Sequence, residues 1–153
     1  MLVRDVMVTQ MKTVKVNDSI RSVAAVICTN KISGMPVVGD NGELLGIISE
    51  KDILNALLPS YNDFLEDPVA ARDFESMEKS YSEVLSRKVS DLMTPNPYAI
   101  SPNDPLMMAA SRMALHNFRR MPVVEGRDRL VGIISLGDIH KAIFKRELGM
   151  KLE

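Results

Sequence analysis

The sequence predicts an α/β (α+β) fold made of two copies of one β-α-β-β-α unit. Three observations predict it. A stretch of 54 residues recurs at a constant offset of 86. Within each copy, runs with strand spacing and runs with helix spacing follow one another in the same order. Finally, the chain has 153 residues, 46% of them hydrophobic and 25% charged, which is enough to bury a core. One unit of that size would be marginal alone, so the copies are expected to pack into one core.

The repeat is dense. GMPVVGDNGELLGIISEKDI (34–53) aligns without a gap on RMPVVEGRDRLVGIISLGDI (120–139). The same register pairs Val3 with Val89, Asp5 with Asp91, Met7 with Met93, and Asn17-Asp18 with Asn103-Asp104. From residue 3 to residue 56, 18 of 54 pairs are identical, whereas unrelated segments would match at roughly one position in sixteen.

Each element has its own justification. Thr13 to Val16 and Tyr98 to Ile100 read as short strands. Asn17-Asp18-Ser19 reads as a helix start, and so does Asn103-Asp104-Pro105, with Asp104 as N-cap and Pro105 as the first helical residue. Ile20 to Thr29 and Leu106 to Leu115 carry apolar residues at helical spacing. Met35 to Val38 and Leu44 to Ile48 are strands joined by a turn at Asp40-Asn41-Gly42. Met121 to Val124 and Leu130 to Ile134 are their counterparts, joined at Gly126-Arg127-Asp128. A helix follows each pair, Ser49 to Leu58 and Ser135 to about Leu148. The expected organisation is a first repeat over 1–58, a linker with a helix over 59–87, a second repeat over 88–148 and a tail over 149–153. The linker is acidic and has no counterpart in the repeat. Its Val69 to Arg87 stretch reads as one amphipathic helix that connects the halves, with cleft cover or dimer contact as a second reading.

Composition excludes several classes. A net charge of −1 argues against a nucleic-acid binder, despite Arg119, Arg120, Arg127, Arg129 and Lys141, which no aromatic residues interleave. Cys28, the one cysteine, cannot form an internal disulfide and reads as a small buried hydrophobe. With two histidines besides, a closed zinc site is not expected, and no metal is assigned. No apolar run reaches the roughly 18–20 residues that span a bilayer, and charges interrupt the N-terminal stretch. No membrane contact is expected, and a cytoplasmic setting is the default. His116 and His140 have no acid at ligand spacing and are expected to have no chemical role. No nucleophile–base constellation or phosphate-cradling lysine loop can be assembled, so an enzyme is not expected and no cofactor is required.

The doubled β-α-β-β-α pattern, the M-P-V-V strands and the G-I-I-S-x-x-D segments resemble the CBS domain family, named after cystathionine β-synthase. Two copies in tandem resemble a Bateman module, here a stand-alone CBS domain pair. The resemblance covers nearly all of the chain outside the linker and the tail. It implies a pseudo-twofold pair of units packed through their sheets, a homodimer partnership in the form of a disc, and an adenosyl ligand in one or both clefts between the repeats. AMP, ADP, ATP and S-adenosylmethionine are the candidate ligands. It further implies a regulatory rather than catalytic role, with an unknown protein effector receiving the signal.

The same resemblance places ligand contacts on Ser49, Asp52, Ser135 and Asp138. Their chemistry suits the task. Where a strand runs into a helix, free backbone N–H groups favour phosphate, and a carboxylate can accept from both hydroxyls of a ribose. Ser-x-x-Asp is equally a helix-capping arrangement, and the two readings are compatible. Thr13, Val14 and the segment Ile32 to Pro36, which includes Met35, are the positions implied for adenine in one copy. Ala99, Ile100, Phe118, Met121 and Pro122 are those in the other. Ile32, Met35, Phe118 and Met121 also read as ordinary core. Arg119 and Arg120 supply planar forks for phosphate oxygens, while the first copy has Ser33 and Gly34 there. The halves are therefore expected to be unequal, with Asp138 mattering more than Asp52. The competing reading is a ligand-free structural or protein-interaction module.

Overall fold

The structure, a computed structural model, describes residues 1–151. The chain forms two compact units, and neither is one repeat of the sequence. One takes Lys12–Gly39 and Leu45–Pro95; the other takes Met1–Met11, Asp40–Leu44 and the chain from Asn96 onward. The leading segment of each repeat thus folds with the body of the other.

In the Lys12–Pro95 unit, Ser19 caps helix α1 (Ile20–Asn30), its Oγ accepting from the Ser22 N–H at 3.2 Å. Ile20, Val23 and Ile27 form the buried face of α1. The helix ends at Lys31 in the left-handed region, φ 53°. Strands β1 (Gly34–Val38) and β2 (Leu44–Ser49) follow, then α2 (Glu50–Asn55). Three helices occupy the segment between the repeats: α3 (Tyr61–Glu66), α4 (Phe74–Lys79) and α5 (Tyr81–Leu85). The short α6 (Val89–Leu92) and β3 (Thr94–Pro95) open the second repeat yet complete this unit. The sheet order is β1-β2-β3, with β3 antiparallel to β2 through Gly46–Pro95 and Ile47–Thr94. Val14 bridges to Val37 in parallel on the other side.

The second unit repeats this plan: α7 (Leu106–His116), β4 (Arg120–Glu125), β5 (Arg129–Ser135) and α8 (Leu136–Glu147). Helix α7 ends at Asn117, φ 56°, 86 residues after Lys31. The parallel bridge recurs as Ile100–Val123, and Val8 takes the place of Thr94, bridging to Ile133 of β5.

The exchanged segments are bonded in matching fashion. Val89 N–H donates to Asp18 O at 2.9 Å and Ser90 N–H to Val16 O at 3.0 Å. Val3 N–H donates to Asp104 O and Arg4 N–H to Pro102 O, both at 3.0 Å. Val3 and Val89 are fully buried, each in the core of the other repeat's body. Burying a valine contributes about 1.5–3 kcal/mol. Glycine makes room for the crossings. A Cβ at Gly46 would lie 2.8 Å from Thr94 O and 2.9 Å from Met93 Sδ; at Gly132 it would lie 2.9 Å from Met7 Sδ and 3.1 Å from Val8 O.

Several sequence expectations change. In place of one shared core there are two clusters, one around Met113, Met121, Ile134 and Ile139, the other around Ile20, Met35, Ile48 and Ile53. The exchanged valine and, in the second cluster, Val84 add the apolar area a 54-residue unit lacks. Thr13–Val16 and Tyr98–Ile100 are not full strands but single bridges. Asp104 is not the N-cap of α7. Its Oδ2 accepts from the Ser101 N–H at 3.0 Å, closing a turn, and Pro105 is the N-cap. Asp18 closes the equivalent turn on the Lys15 N–H at 2.9 Å. Ser49 caps α2, which stops at Asn55, with Ala56 and Leu57 bonding three residues back. Val69 to Arg87 is broken: a 3-10 turn at Ala70–Arg72 is followed by α4 and α5. Asp73 has non-helical ψ 74° and takes Ser76 Oγ (2.8 Å) and N–H (3.2 Å) as a fresh N-cap. Cys28 is exposed, not buried, because it lies off the Ile20/Val23/Ile27 face. The final two residues of the 149–153 tail lie outside the described residues. No helix among the described residues is long and apolar enough to cross a membrane.

Overpacking costs about 1–3 kcal/mol. Gly46→Ala and Gly132→Ala are expected to lower the melting temperature by roughly 2–4 °C per kcal/mol lost. Gly137, inside α8, meets only Ser135 Oγ at 3.9 Å, so Gly137→Ala should gain about 0.5–1 kcal/mol. Thermal melts of the three variants check this; equal behaviour of all three contradicts the crossing argument.

Candidate functional site

The two Ser-x-x-Asp segments sit where β2 enters α2 and where β5 enters α8. Both serines are extended, Ser49 at φ −131°, ψ 163° and Ser135 at φ −111°, ψ 154°, which aims each hydroxyl back at its helix start. Ser49 Oγ accepts from the Asp52 N–H at 3.3 Å, and Ser135 Oγ from the Asp138 N–H at 3.0 Å.

The two carboxylates differ. Asp52 Oδ2 accepts from the Ser49 N–H at 2.9 Å and from Ser49 Oγ at 3.0 Å. Its Oδ1 takes a long bond, 3.5 Å, from Thr94 Oγ1. The capping reading is therefore met in full at Asp52. The Asp138 carboxylate accepts no hydrogen bond among the described residues, though it is equally half-buried.

Each helix start is fastened to the segment before its M-P-V-V strand. Glu50 N–H donates to Ser33 O at 2.8 Å, and Leu136 N–H to Arg119 O at 2.9 Å. Arg120 stands opposite Ser135 in the β4–β5 register. The second unit therefore gathers Arg119, Arg120, Ser135 and Asp138 at one end of its strand pair. The first unit gathers Ile32, Ser49 and Asp52 there, with Gly34 where Arg120 stands. A Cβ on Gly34 would come 2.7 Å from Ile48 O.

Of the other expected positions, Val14, Met35, Pro36, Ile100, Met121 and Pro122 are buried. Their side chains are core, and what they offer outward is backbone. Part of that backbone is committed: Val14 N–H donates to Pro36 O and Ile100 N–H to Pro122 O, both at 3.1 Å. Ile32, Ala99 and Phe118 are half-buried, and Thr13, Arg119 and Arg120 exposed. Ala99 O accepts from Arg112 Nη1 at 3.4 Å.

Tyr98 and His116, for which the sequence alone suggests no ligand role, extend Phe118 into an aromatic shelf. Tyr98 and His116 stack at 4.2 Å between centroids, and Phe118 lies 5.7 Å from His116 and 5.9 Å from Tyr98. The repeat register holds a signal for this: the first copy has Lys12, Asn30 and Ile32 at these positions. Three aromatic rings stand in one copy where the other has none.

Residues 3–59 and 89–145 each match the CBS domain family. The chain belongs to that family and carries two CBS domains, a CBS pair. It is 36% identical to MJ1426, an uncharacterized protein of Methanocaldococcus jannaschii, over 94% of this chain and 91% of that protein. It is 32% identical to the chloroplastic CBS domain-containing protein CBSX2 of Arabidopsis thaliana, over 88% of this chain and 60% of that protein. The chain thus spans less than two thirds of that relative. A crystal structure of CBSX2 in complex with AMP superimposes with a TM-score of 0.74 at 30% identity, covering 95% of this chain and 98% of that one.

The unequal carboxylates have a consequence for stability without any ligand. Asp52→Ala removes bonds to the Ser49 N–H and hydroxyl and is expected to cost about 1 kcal/mol. Asp138→Ala removes no protein bond and should stay within about 0.5 kcal/mol of the wild type. Urea titrations of both variants measure the difference.

Proposed function

We propose that this CBS pair is a regulatory module that binds an adenosyl compound and signals its occupancy to a partner protein. The observation that carries this reading is the Asp138 carboxylate. It is half-buried at the start of a twelve-residue helix and uncommitted to any described protein group, with Arg119 and Arg120 at the same strand end. A ribose diol supplies two donors to such a carboxylate. The α8 N-terminus favours the attached phosphate through its dipole, and an arginine fork holds phosphate oxygens in a plane. The aromatic shelf of Tyr98, His116 and Phe118 offers a flat face of the kind a purine stacks on. The likeness to CBSX2, whose crystal structure is a complex with AMP, supports the ligand class.

Among the candidate ligands, the arginine pair favours the phosphate-bearing ones, AMP, ADP and ATP, over S-adenosylmethionine. The role is binding, and the signal follows from linkage. A ligand that binds one conformation better shifts the population toward it by its difference in affinity.

The test is the melting temperature of the purified protein with AMP, ADP, ATP and S-adenosylmethionine in turn. A ligand at 100 times its Kd adds about 2.7 kcal/mol, a shift of several degrees. Calorimetry then compares two variants. Asp138→Ala is expected to weaken binding at least tenfold, and Asp52→Ala by less. Equal losses would undo the unequal-site reading. No shift with any of the four compounds would favour the ligand-free interaction module instead.

A further inference from the structure

The segment between the repeats has a surface chemistry of its own. Residues 59–87 hold seven carboxylates and three cations, a net of −4, in a chain whose total is −1. Two of those cations are engaged: Arg72 lies 5.2 Å over the Phe64 ring, and Lys79 pairs with Glu75 at 3.4 Å. Hydrogen bonds from Ser60 and Ser76 hold the Asp63 and Asp73 carboxyls below the usual carboxylate range, so both stay charged at neutral pH. The Glu83 carboxylate accepts no hydrogen bond among the described residues.

The same segment lines a groove of about 640 Å³ within the unit of Lys12–Gly39 and Leu45–Pro95. Leu57, just beyond α2, with Met77 of α4 and Val84 of α5, gives it apolar walls; Asp73, Glu83 and Arg87 supply its charges. Apolar surface continues past the groove. Tyr61, Leu65, Val69 and Phe74 are each more than 60% exposed, and Val69 and Phe74 are chain neighbours of the lining residues Ala70 and Asp73. A small molecule that filled the groove would leave these side chains in water, whereas a peptide chain covers both. Carboxylates at the groove select the sign of what binds there, and apolar walls call for a large apolar side chain. A segment with lysine or arginine beside leucine, methionine or phenylalanine meets both demands.

We propose that this acidic groove is the surface on which the module docks its partner protein, and that the partner offers a basic, apolar peptide segment to it. An apolar anchor of that segment rests against Leu57, Met77 and Val84, and its lysines or arginines pair with Asp73 and Glu83. Such exposed pairs steer and select more than they hold, and the buried anchor sets the affinity. The contact's role as an output rests on the regulatory reading above; docking itself does not, and it is tested without nucleotide so that the two can fail separately.

The probe is a library of random short peptides displayed on phage, selected on the nucleotide-free full chain at about 0.15 M salt. Enriched sequences are expected to carry lysine or arginine beside large apolar residues. A labelled synthetic copy of the most enriched one is then titrated by anisotropy. Glu83→Lys and Met77→Asp should each weaken its binding at least tenfold. Glu125→Lys, the same charge change at an exposed position of the other unit, should leave it within twofold. No enrichment, enrichment of acidic or uncharged sequences, or equal binding by wild type and both groove variants overturns the proposal. So does an equal loss in Glu125→Lys, which would make the attraction one of net charge, or an enriched set that copies this chain's own sequence, which would make a second copy the occupant. Should a variant fail to fold, the same peptide with a photoreactive phenylalanine analogue as its anchor reads the contact on the wild type. Its cross-links should fall within residues 56–87; cross-links confined to other residues overturn the proposal. Selective peptide binding by a protein whose melting no adenosyl compound shifts keeps the docking site and removes only its role as an output.

Discussion

The reciprocal placement of the two leading segments is the constraint on which the rest of this structure depends. A unit of 54 residues has too little interior to close on its own. Each body therefore takes a buried valine, a backbone-bonded turn and an edge bridge from the opposite repeat. The bridges at Val8–Ile133 and Ile47–Thr94 flank the strands that carry Ser135 and Ser49. Where those strands end, their serines turn the chain into α2 and α8. Glycine at positions 46 and 132 follows from the same geometry, since the exchanged backbone passes within 3.1 Å of where a Cβ would stand.

On this shared frame the copies have diverged in chemistry while keeping their backbone. Left-handed residues, parallel bridges and the bonds that tie β1 and β4 to the following helices recur at an offset of 86. The side chains around the helix starts do not. Asp52 spends its carboxylate on Ser49 and Thr94, whereas Asp138 keeps its own available among the described residues. Arg120 replaces Gly34, and three aromatic rings replace Lys12, Asn30 and Ile32. One copy closes its carboxylate on its own chain, and the other leaves it open among the described residues.

Duplication made much of this legible, because two copies of a weak pattern in one register reinforce each other. The helices α1 and α7 and the hairpin strands lie within a residue or two of where apolar spacing puts them, and Ser49 and Ser135 are helix caps as Ser-x-x-Asp suggests. The exchange was not legible: Val3 and Val89 are identical, and identity between copies cannot say which body each valine enters. Asp104 is ambiguous in the sequence because one carboxylate can close a turn or cap a helix, and composition does not choose between them. The long helix over Val69 to Arg87 failed for the same reason: Asp73 and Ser76 bond locally and outcompete helix continuation. The aromatic shelf needed the fold, since Tyr98 and His116 are eighteen residues apart in the chain.

The crossed connectivity also sets an order on synthesis. Residues 1–11 leave the ribosome well before Pro102, Asp104 and Ile133, to which they bond. Chains emerge at about 5–20 residues per second, so Val3 waits several seconds for its partners. The unit of Lys12–Gly39 and Leu45–Pro95 takes no segment beyond Pro95, so all of it has been made while the second repeat is still being translated. During that interval Val3, Val6 and Met7 lack the core that covers them in the folded chain, which leaves them open to capture by a chaperone or a protease.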